Sequence, residues 1–152
     1  MRWQKLYNPV VSWLLRSPLH GLMSSSTMLI TYTGRKSGRA YTTPVNYVRD
    51  ADTLFVVSPR ERIWWRNLRG GAPVTVRVAG RDLRGVGRAF EGKDAVEEGG
   101  LLTVLRKSPA LRRSWRVGLD PNGMPRERQD LLRVAQANVL IRIRDLVPTQ
   151  RS

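Results

Sequence analysis

The sequence contains no cysteine and a single histidine, His20, among its 152 residues. Without cysteine there can be no disulfide, no thiolate nucleophile and no cysteine-bound zinc or iron–sulfur site. One histidine cannot build a multi-histidine metal site, and His20, between Pro18 and Gly21, fits a surface or helix-end position better than a Ser-His-Asp triad. We therefore predict no metal site, and an enzyme built from this chain would borrow its reactivity from an organic cofactor.

Acidic residues are also scarce, with 12 Asp and Glu against 27 Lys and Arg, so the formal net charge is +15. The adjacent pair Glu97-Glu98 would diverge on a helix, so paired carboxylates for glycosidase or hydrolase chemistry are not indicated. The excess of arginine predicts affinity for an anion, because the guanidinium fork suits phosphate and carboxylate. Nucleic acid, an anionic membrane surface, and a phosphorylated or polycarboxylate ligand all fit the charge.

The chain has no uninterrupted apolar run of about 18 residues, so no membrane span is predicted. Residues 1–23 mix apolar and basic positions at helical spacing, which predicts an amphipathic helix. Such a helix packs on its own domain or lies on an anionic membrane. We expect a cytoplasmic protein, with peripheral membrane contact through residues 1–23 as the alternative.

Hydrophobic residues make up 41% of the chain, enough for the core of one domain. Strand-like runs cover the first half, and the pattern predicts one α+β domain over residues 1–152, closed as a small antiparallel barrel of about six strands. After the helix over 1–23 we expect three segments: a barrel core over 27–90, helices over 94–137 with a break near Ser108-Pro109, and a closing strand over 138–146.

The turn Gly34-Arg35-Lys36-Ser37-Gly38 joins two of the predicted strands. Its glycines permit left-handed backbone and close approach by other atoms. Two cations, a hydroxyl and exposed N–H groups could together cradle an anion. The same residues also fit a solvated hairpin turn, and the turn alone does not decide between them.

Two further segments combine cations with tryptophan. The first is the segment Ser58–Asn67. It contains Trp64 and Trp65 beside several arginines, and these side chains could form one wall of a pocket for a flat ligand. Neighbours on a helix point about 100° apart, so we expect at most one of the two indoles to face the ligand, with the other in the core. The second segment surrounds Trp115 with five cations, and we favour a solvated helix face over a nucleic-acid surface. Those cations are Arg106, Lys107, Arg112, Arg113 and Arg116.

Three stretches in this order resemble the deazaflavin-dependent nitroreductase family: LITYTGRKSGRAYTTPVNYV, DTLFVVS and WWRNLRGGAPVTVRVAGR. The resemblance covers about residues 27–90. It implies an antiparallel split β-barrel similar to FMN-binding proteins, and the deazaflavin F420 as cofactor with FMN as the alternative. Members often carry an arginine where this chain has Tyr41, and SPRERI replaces a longer glycine-rich loop.

The resemblance also implies where a cofactor would bind. The turn would hold its phosphate and acidic tail, the loop after Ser58 would reach the phosphate or the ring, and the tryptophans would lie near the cofactor–substrate cleft. Tyr41 and Tyr47 are candidate proton donors. The cofactor-binding residues implied in this way are Arg35, Lys36, Ser37, Gly38, Thr43, Pro44, Ser58, Arg60, Arg62, Trp64 and Trp65.

Three functions remain as hypotheses. The first is a reductase that passes a hydride from reduced F420, or from FMN, to a small-molecule quinone, nitro compound or activated alkene. The second is a non-catalytic module on the same barrel that binds a flavin, haem or lipid. The third is a protein that binds an anionic surface, nucleic acid or membrane, through its charge. Nucleic acid is disfavoured because the sequence shows no helix-turn-helix, zinc finger or RNP-type aromatic motif. A homodimer is expected for a barrel of this type.

Overall fold

The computed structural model describes residues 26–149, and the helix predicted over 1–23 lies outside them. Seven strands form one curled antiparallel sheet. The strands are β1 (Thr27–Thr33), β2 (Ala40–Asn46), β3 (Val48–Asp50), β4 (Thr53–Pro59), β5 (Ala72–Val78), β6 (Arg81–Phe90) and β7 (Asn138–Pro148). The helices are a 3₁₀ helix (Ile63–Leu68), α1 (Gly92–Glu98), α2 (Gly100–Lys107), α3 (Pro109–Trp115) and α4 (Gln129–Ala137).

The order of strands across the sheet is β2-β1-β5-β6-β7-β4-β3. The two outermost strands, β2 and β3, are consecutive in the chain and joined through Tyr47, whose backbone N–H donates to the Ser26 carbonyl at 3.0 Å. The sheet therefore curls until its two edges approach each other, which produces a half-barrel with a seam between β2 and β4. About six strands were expected; the seventh arises because the run through Val48 is two strands rather than one.

In most strands, buried and more exposed residues alternate along the chain, and β5 shows this pattern clearly. Val74, Val76 and Val78 are buried in the barrel, while Pro73 and Arg77 on the other face are exposed. In contrast, β7 buries three residues in succession, Val139, Leu140 and Ile141. One of its faces packs into the barrel and the other packs under the helices, so both faces are apolar.

Two hydrophobic cores result from this arrangement. The first fills the barrel and contains Met28, Ile30, Leu54, Val56, Trp65, Leu68, Val74, Val76, Val78, Leu83, Val139, Ile141 and Ile143. The second lies between the sheet and the helices and contains Phe55, Ala95, Leu101, Val104, Leu105, Val117, Leu131, Val134, Ala135 and Leu140.

The helices before the last strand are confirmed, with an additional break. The expected break near Ser108 is present, where the Ser108 side chain accepts a hydrogen bond from Leu111 N at 3.3 Å and Pro109 begins α3. A second break falls at Gly99, whose φ of 93° ends α1 and starts α2. The segment expected as two helices is therefore three.

An ion pair between α1 and β7 fastens the helices to the sheet. Arg142 donates to Glu98 at 2.8 Å, and the two side chains are only 15% and 11% exposed. The other Glu98 oxygen accepts from Gly100 N at 2.7 Å, so one carboxylate holds both the strand and the start of α2. In the described part of the chain, no helix is long and apolar enough to cross a membrane.

Candidate functional site

The Gly34–Gly38 turn is held by its own backbone. Gly34 N–H donates to the Arg39 carbonyl and Gly38 N–H donates to the Gly34 carbonyl, both at 2.8 Å. Gly38 has a φ of 71°, which glycine adopts without strain. At Gly34 a Cβ atom would come within 2.6 Å of Ser37 Oγ, so a side chain there would push the serine out of place.

The 3₁₀ helix stands against this turn. Asn67 Oδ1 accepts a hydrogen bond from the Arg35 backbone N–H at 2.9 Å, and Asn67 Nδ2 donates to the Trp64 carbonyl at 2.9 Å. A Cβ atom on Gly70, just after this helix, would lie 3.9 Å from Arg35 Nη2. The turn and the helix thus form two facing walls.

A groove of about 640 Å³ runs between these walls, and we call it the cationic groove. Among the described residues, 26–149, four cations line it and no carboxylate does. Its lining residues are Tyr32, Gly34, Arg35, Lys36, Ser37, Tyr41, Ile63, Trp64, Arg66, Asn67 and Arg69.

Three aromatic rings lie together in this groove. The Tyr32 ring centroid is 5.8 Å from that of Tyr41 and 5.7 Å from that of Trp64. The hydroxyls of Tyr41 and Ser37 are hydrogen-bonded at 3.2 Å, which ties the rings to the turn. Burial, and then the neighbouring Tyr41, raises the pKa of Tyr32 above its ordinary value, so this phenol keeps its proton at neutral pH.

A second groove, of about 360 Å³, runs along the seam between β2 and β4, and we call it the seam groove. It is far less charged, with Arg62 as its only ionisable lining residue in the described part of the chain. It is lined by Thr27, Pro44, Val45, Asn46, Val56, Val57, Ser58, Pro59, Arg62 and Trp64. Trp64 lines both grooves, so the two meet at this residue.

Trp65 has the opposite surroundings from Trp64. It is 1% exposed, belongs to the barrel core, and donates from Nε1 to the Arg60 carbonyl at 3.2 Å. Three guanidiniums lie over its ring, those of Arg69 at 4.8 Å and of Arg60 and Arg66 at 5.8 Å. Trp65 therefore anchors the 3₁₀ helix and its arginines to the barrel.

Glu91 links two of these arginines. It accepts from Arg60 at 3.0 Å and from Arg69 at 3.0 and 3.3 Å. The hydrogen bonds from Arg69, opposed by partial burial and reinforced by Arg60, lower the pKa of Glu91 below its ordinary value. Arg60 also donates to the Gln136 carbonyl at 2.9 Å, so its guanidinium is used to join the loop to α4.

The structure brings the predicted site residues together in two sets. Arg35, Lys36, Ser37, Tyr41 and Trp64 line the cationic groove, whereas Pro44, Ser58, Arg62 and Trp64 line the seam groove. The remaining predicted residues line neither groove within residues 26–149: Gly38, Thr43, Tyr47, Arg60 and Trp65. Tyr47 packs on the barrel core instead.

Sequence reasoning missed two lining residues of the groove, Tyr32 and Arg69. It included Ile63, Arg66 and Asn67 only as part of the segment Ser58–Asn67 that could line a pocket for a flat ligand. A signal was present. Ile63 and Arg66 are three residues apart, and side chains at that spacing are eclipsed on a 3₁₀ helix. Treating the segment as 3₁₀ would have placed these two on one side, with Arg69 following as the C-terminal cap residue.

The basic run around Trp115 is largely engaged in holding the helices. Arg106 donates to the Gly123 carbonyl at 2.7 Å, Arg112 to the Leu105 carbonyl at 2.6 Å, and Lys107 pairs with Asp50 at 3.2 Å. These contacts account for three of the five cations of the run, which bond to the protein itself.

Comparisons with known proteins agree with this architecture. A family model described as F420H(2)-dependent quinone reductase matches residues 17–112, well over half of the chain. No curated protein sequence gives a significant match.

Three solved structures illustrate the fold. One described as a domain-swapped dimer is 16% identical, with a TM-score of 0.50 over 78% of this chain and 79% of its own. An FMN-binding, pyridoxamine 5′-phosphate oxidase-related protein from Nostoc punctiforme PCC 73102 is 11% identical, with a TM-score of 0.49 over 95% and 81%. An F420 reductase is 15% identical, with a TM-score of 0.44 over 87% and 93%. At such identities the likeness concerns the fold alone. The expected antiparallel split barrel is confirmed by the curled seven-stranded sheet of this chain.

Proposed function

The chain belongs to the F420H(2)-dependent quinone reductase family, and from that premise we propose that it is an oxidoreductase that passes a hydride from reduced F420 to a small organic acceptor. A quinone is the acceptor class in the family's description, and nitro compounds and activated alkenes accept a hydride in the same way. The observation that carries the proposal is the pairing of a strongly cationic groove with a nearly uncharged one across Trp64.

The residues present suit the chemical parts of F420, which are a flat ring, a phosphate and a tail of glutamates. Arg35, Lys36 and Ser37 offer charge-assisted and neutral donors for the phosphate. The seam groove, with Pro44, Ser58 and the indole of Trp64, offers an apolar slot with a few polar atoms for the ring.

Bound in its reduced form, F420 supplies the hydride. The protein then has to bind, orient and exclude water, which requires no histidine, cysteine or metal. Reduction of a quinone also needs a proton. Tyr41, 36% exposed in the cationic groove and hydrogen-bonded to Ser37, is our candidate to hold it, whereas Tyr47 packs on the core.

Titration with F420, FMN, FAD and haem, monitored by quenching of tryptophan fluorescence, tests the proposal because Trp64 borders both grooves. We expect saturable binding of F420, weakened about tenfold or more in the Arg35→Ala/Lys36→Ala double variant. Arg81→Ala/Lys93→Ala is the matched control, since it removes the same two charges from exposed positions outside both grooves. Absence of binding to any flavin would contradict the proposal.

The same ligand titrations distinguish the alternative functions. Tighter binding of FMN than of F420 would favour an FMN-dependent reductase. Tight binding of F420 without oxidation of its reduced form by any quinone, nitroaromatic or enone would favour a non-catalytic carrier. The expected homodimer stays a proposal, and light scattering of the purified protein tests it.

A further inference from the structure

The basic run around Trp115 contains two cations that the fold itself does not use. Arg113 and Arg116 are exposed, and their guanidiniums have no hydrogen-bond or ion-pair partner among residues 26–149. Arg116 follows Arg112 by four residues and Arg113 by three. Like charges at these spacings destabilise the end of a helix. A bound anion would relieve that repulsion.

These arginines surround an open pocket of about 400 Å³ at the end of α3, and we call it the α3 pocket. Three arginines line it, and no carboxylate among residues 26–149 does. It shares no lining residue with the cationic groove or with the seam groove. Its lining residues are Pro109, Arg112, Arg113, Arg116, Val117, Gly118 and Leu119.

We propose that the α3 pocket is a separate anion site, in which Arg112, Arg113 and Arg116 bind the phosphate group of an organic phosphate. The guanidinium fork suits a phosphate because it donates two parallel hydrogen bonds. A phosphate monoester carries about two negative charges near neutral pH, which these arginines balance. Pro109 and Leu119 add apolar surface for the organic part of the ligand.

Arg112 is held in place before a ligand arrives. Its Nη1 donates to the Leu105 carbonyl at 2.6 Å and to the Arg106 carbonyl at 3.0 Å. Its Nε and Nη2 have no partner in the part of the chain that the structure describes. Because one nitrogen already fixes the guanidinium, less side-chain entropy is lost when the others bind an anion.

The carbonyl groups at the end of α3 would repel an anion if they were bare, because the helix dipole is negative there. They are largely covered. The Arg112 and Arg113 carbonyls accept from backbone N–H groups at 2.9 and 3.3 Å. Arg133 donates to the Trp115 and Arg116 carbonyls at 2.8 and 3.3 Å, and it brings a further positive charge to this end.

The backbone of Arg116 supports the proposal independently. Its φ of 56° and ψ of 48° are left-handed, a conformation that glycine or asparagine adopts at less cost than arginine. A glycine could end α3 here without strain. The arginine at this position therefore indicates a use for its guanidinium.

Calorimetric titration at constant ionic strength tests the site, with phenyl phosphate and inorganic phosphate as probes. The reference protein is the Arg35→Ala/Lys36→Ala variant, so that the turn at Gly34–Gly38 does not contribute. We expect saturable binding of phenyl phosphate and weaker binding of inorganic phosphate. Adding Arg113→Gln/Arg116→Asn should weaken the binding of phenyl phosphate about tenfold or more.

Two further variants separate the site from folding and from charge alone. Arg113→Gln by itself changes an exposed helix position and should weaken binding several-fold with the unfolding temperature unchanged. Arg81→Gln/Lys93→Gln removes two charges outside the α3 pocket and both grooves, and should leave the affinity unchanged. Asparagine tolerates the backbone of residue 116, so the Arg113→Gln/Arg116→Asn protein should unfold at no lower temperature than the reference.

Vesicles distinguish a lipid headgroup from a free organic phosphate as the source of the phosphate group. Phosphatidylcholine vesicles containing phosphatidic acid expose a phosphate monoester. Binding to them that depends on Arg113 and Arg116 would identify a lipid ligand. If the two arginines affect only the titration with phenyl phosphate, the ligand is a free organic phosphate.

Equal affinity of the reference and Arg113→Gln/Arg116→Asn proteins, both for phenyl phosphate and for these vesicles, would overturn the site. A loss of the same size in Arg81→Gln/Lys93→Gln would overturn it as well, because net charge alone would then explain the binding. Neither result would affect the proposed reductase function, since the α3 pocket shares no residue with either groove.

Discussion

Trp64 and Trp65 are adjacent in sequence, yet only the first meets solvent. Trp64 is half-buried between two grooves, and Trp65 is enclosed by the barrel and by three guanidiniums. Helix geometry predicted one indole in the core and at most one facing a ligand, and the structure places Trp65 in the core and Trp64 at the grooves. Which of the two indoles is buried depends on the side of the helix that packs on the barrel. The local sequence does not determine that side.

Glu91 gives a prediction at the same scale. Its pKa is lowered in the folded protein, first by hydrogen bonds from Arg69, so its ionised form stabilises the fold at pH values above the ordinary 4.5. That stability is lost as the pH falls through the lower, folded pKa. We expect Glu91→Gln to unfold at lower urea than the parent at neutral pH, with the gap closing in acid.

The matched control for Glu91 is Glu97→Gln. The Glu97 side chain is 61% exposed, and its ion-pair partner among residues 26–149 is Lys93, at 3.6 Å. It should change the free energy of unfolding little at any pH. A gap between Glu91→Gln and the parent that stays constant across the acid range would show that the ion pairs of Glu91 do not contribute.

At the scale of elements, the fit between α2 and the sheet gives a second prediction. A Cβ atom on Gly100 would overlap the ring of Phe55 and come within 2.5 Å of Glu98 Oε1. Gly100→Ala should therefore lower the free energy of unfolding by about 1–3 kcal/mol, because a rigid ring in the second core has little room to move. Thermal or urea unfolding measures it.

Gly118→Ala is the control for this helix contact. Its Cβ atom would meet only the flexible Arg126 side chain, at 3.4 Å, and Gly118 is exposed. If both alanine variants are as stable as the parent, the Gly100–Phe55 approach is not a constraint on the fold.

The helices, strands and turns also show how much of the fold can be predicted from local sequence patterns. Local patterns predicted the turn at Gly34–Gly38 and the break between helices near Ser108-Pro109, and both are present. These features depend on residues close in the chain. The division of the second strand at Tyr47 was not predicted, because it depends on where two distant sheet edges meet.

The site was partly predictable for the same reason. The turn carries its own glycines and cations, so Arg35, Lys36 and Ser37 could be chosen from the sequence. Arg60 was chosen because it is basic and lies shortly after Ser58. Its hydrogen bonds go to Glu91 and Gln136, which are 31 and 76 residues further along the chain, and no local pattern indicates such partners.

At the scale of the whole molecule, the positive charge has two different uses. Several arginines bond to backbone carbonyls and hold loops and helices, as Arg112 does at Leu105 and Arg133 at Trp115. Others, such as Arg35, Lys36 and Arg66, line the cationic groove. Neither use neutralises the charge, so the net charge of +15 remains a source of self-repulsion in the folded chain.

Salt should therefore affect stability and binding in opposite directions. The Debye length falls from about 30 Å at 0.01 M to about 3 Å at 1 M salt. Over that range we expect the free energy of unfolding of the cofactor-free protein to rise, because repulsion among its cations is screened. The affinity for F420 should fall over the same range, because the attraction between the cationic groove and the anionic tail is screened as well.

Urea unfolding and fluorescence titration in matched sodium chloride series measure the two responses. A stability that falls with salt would mean that the exposed ion pairs, such as Arg77–Asp82 at 3.2 Å, outweigh the repulsion of the excess cations.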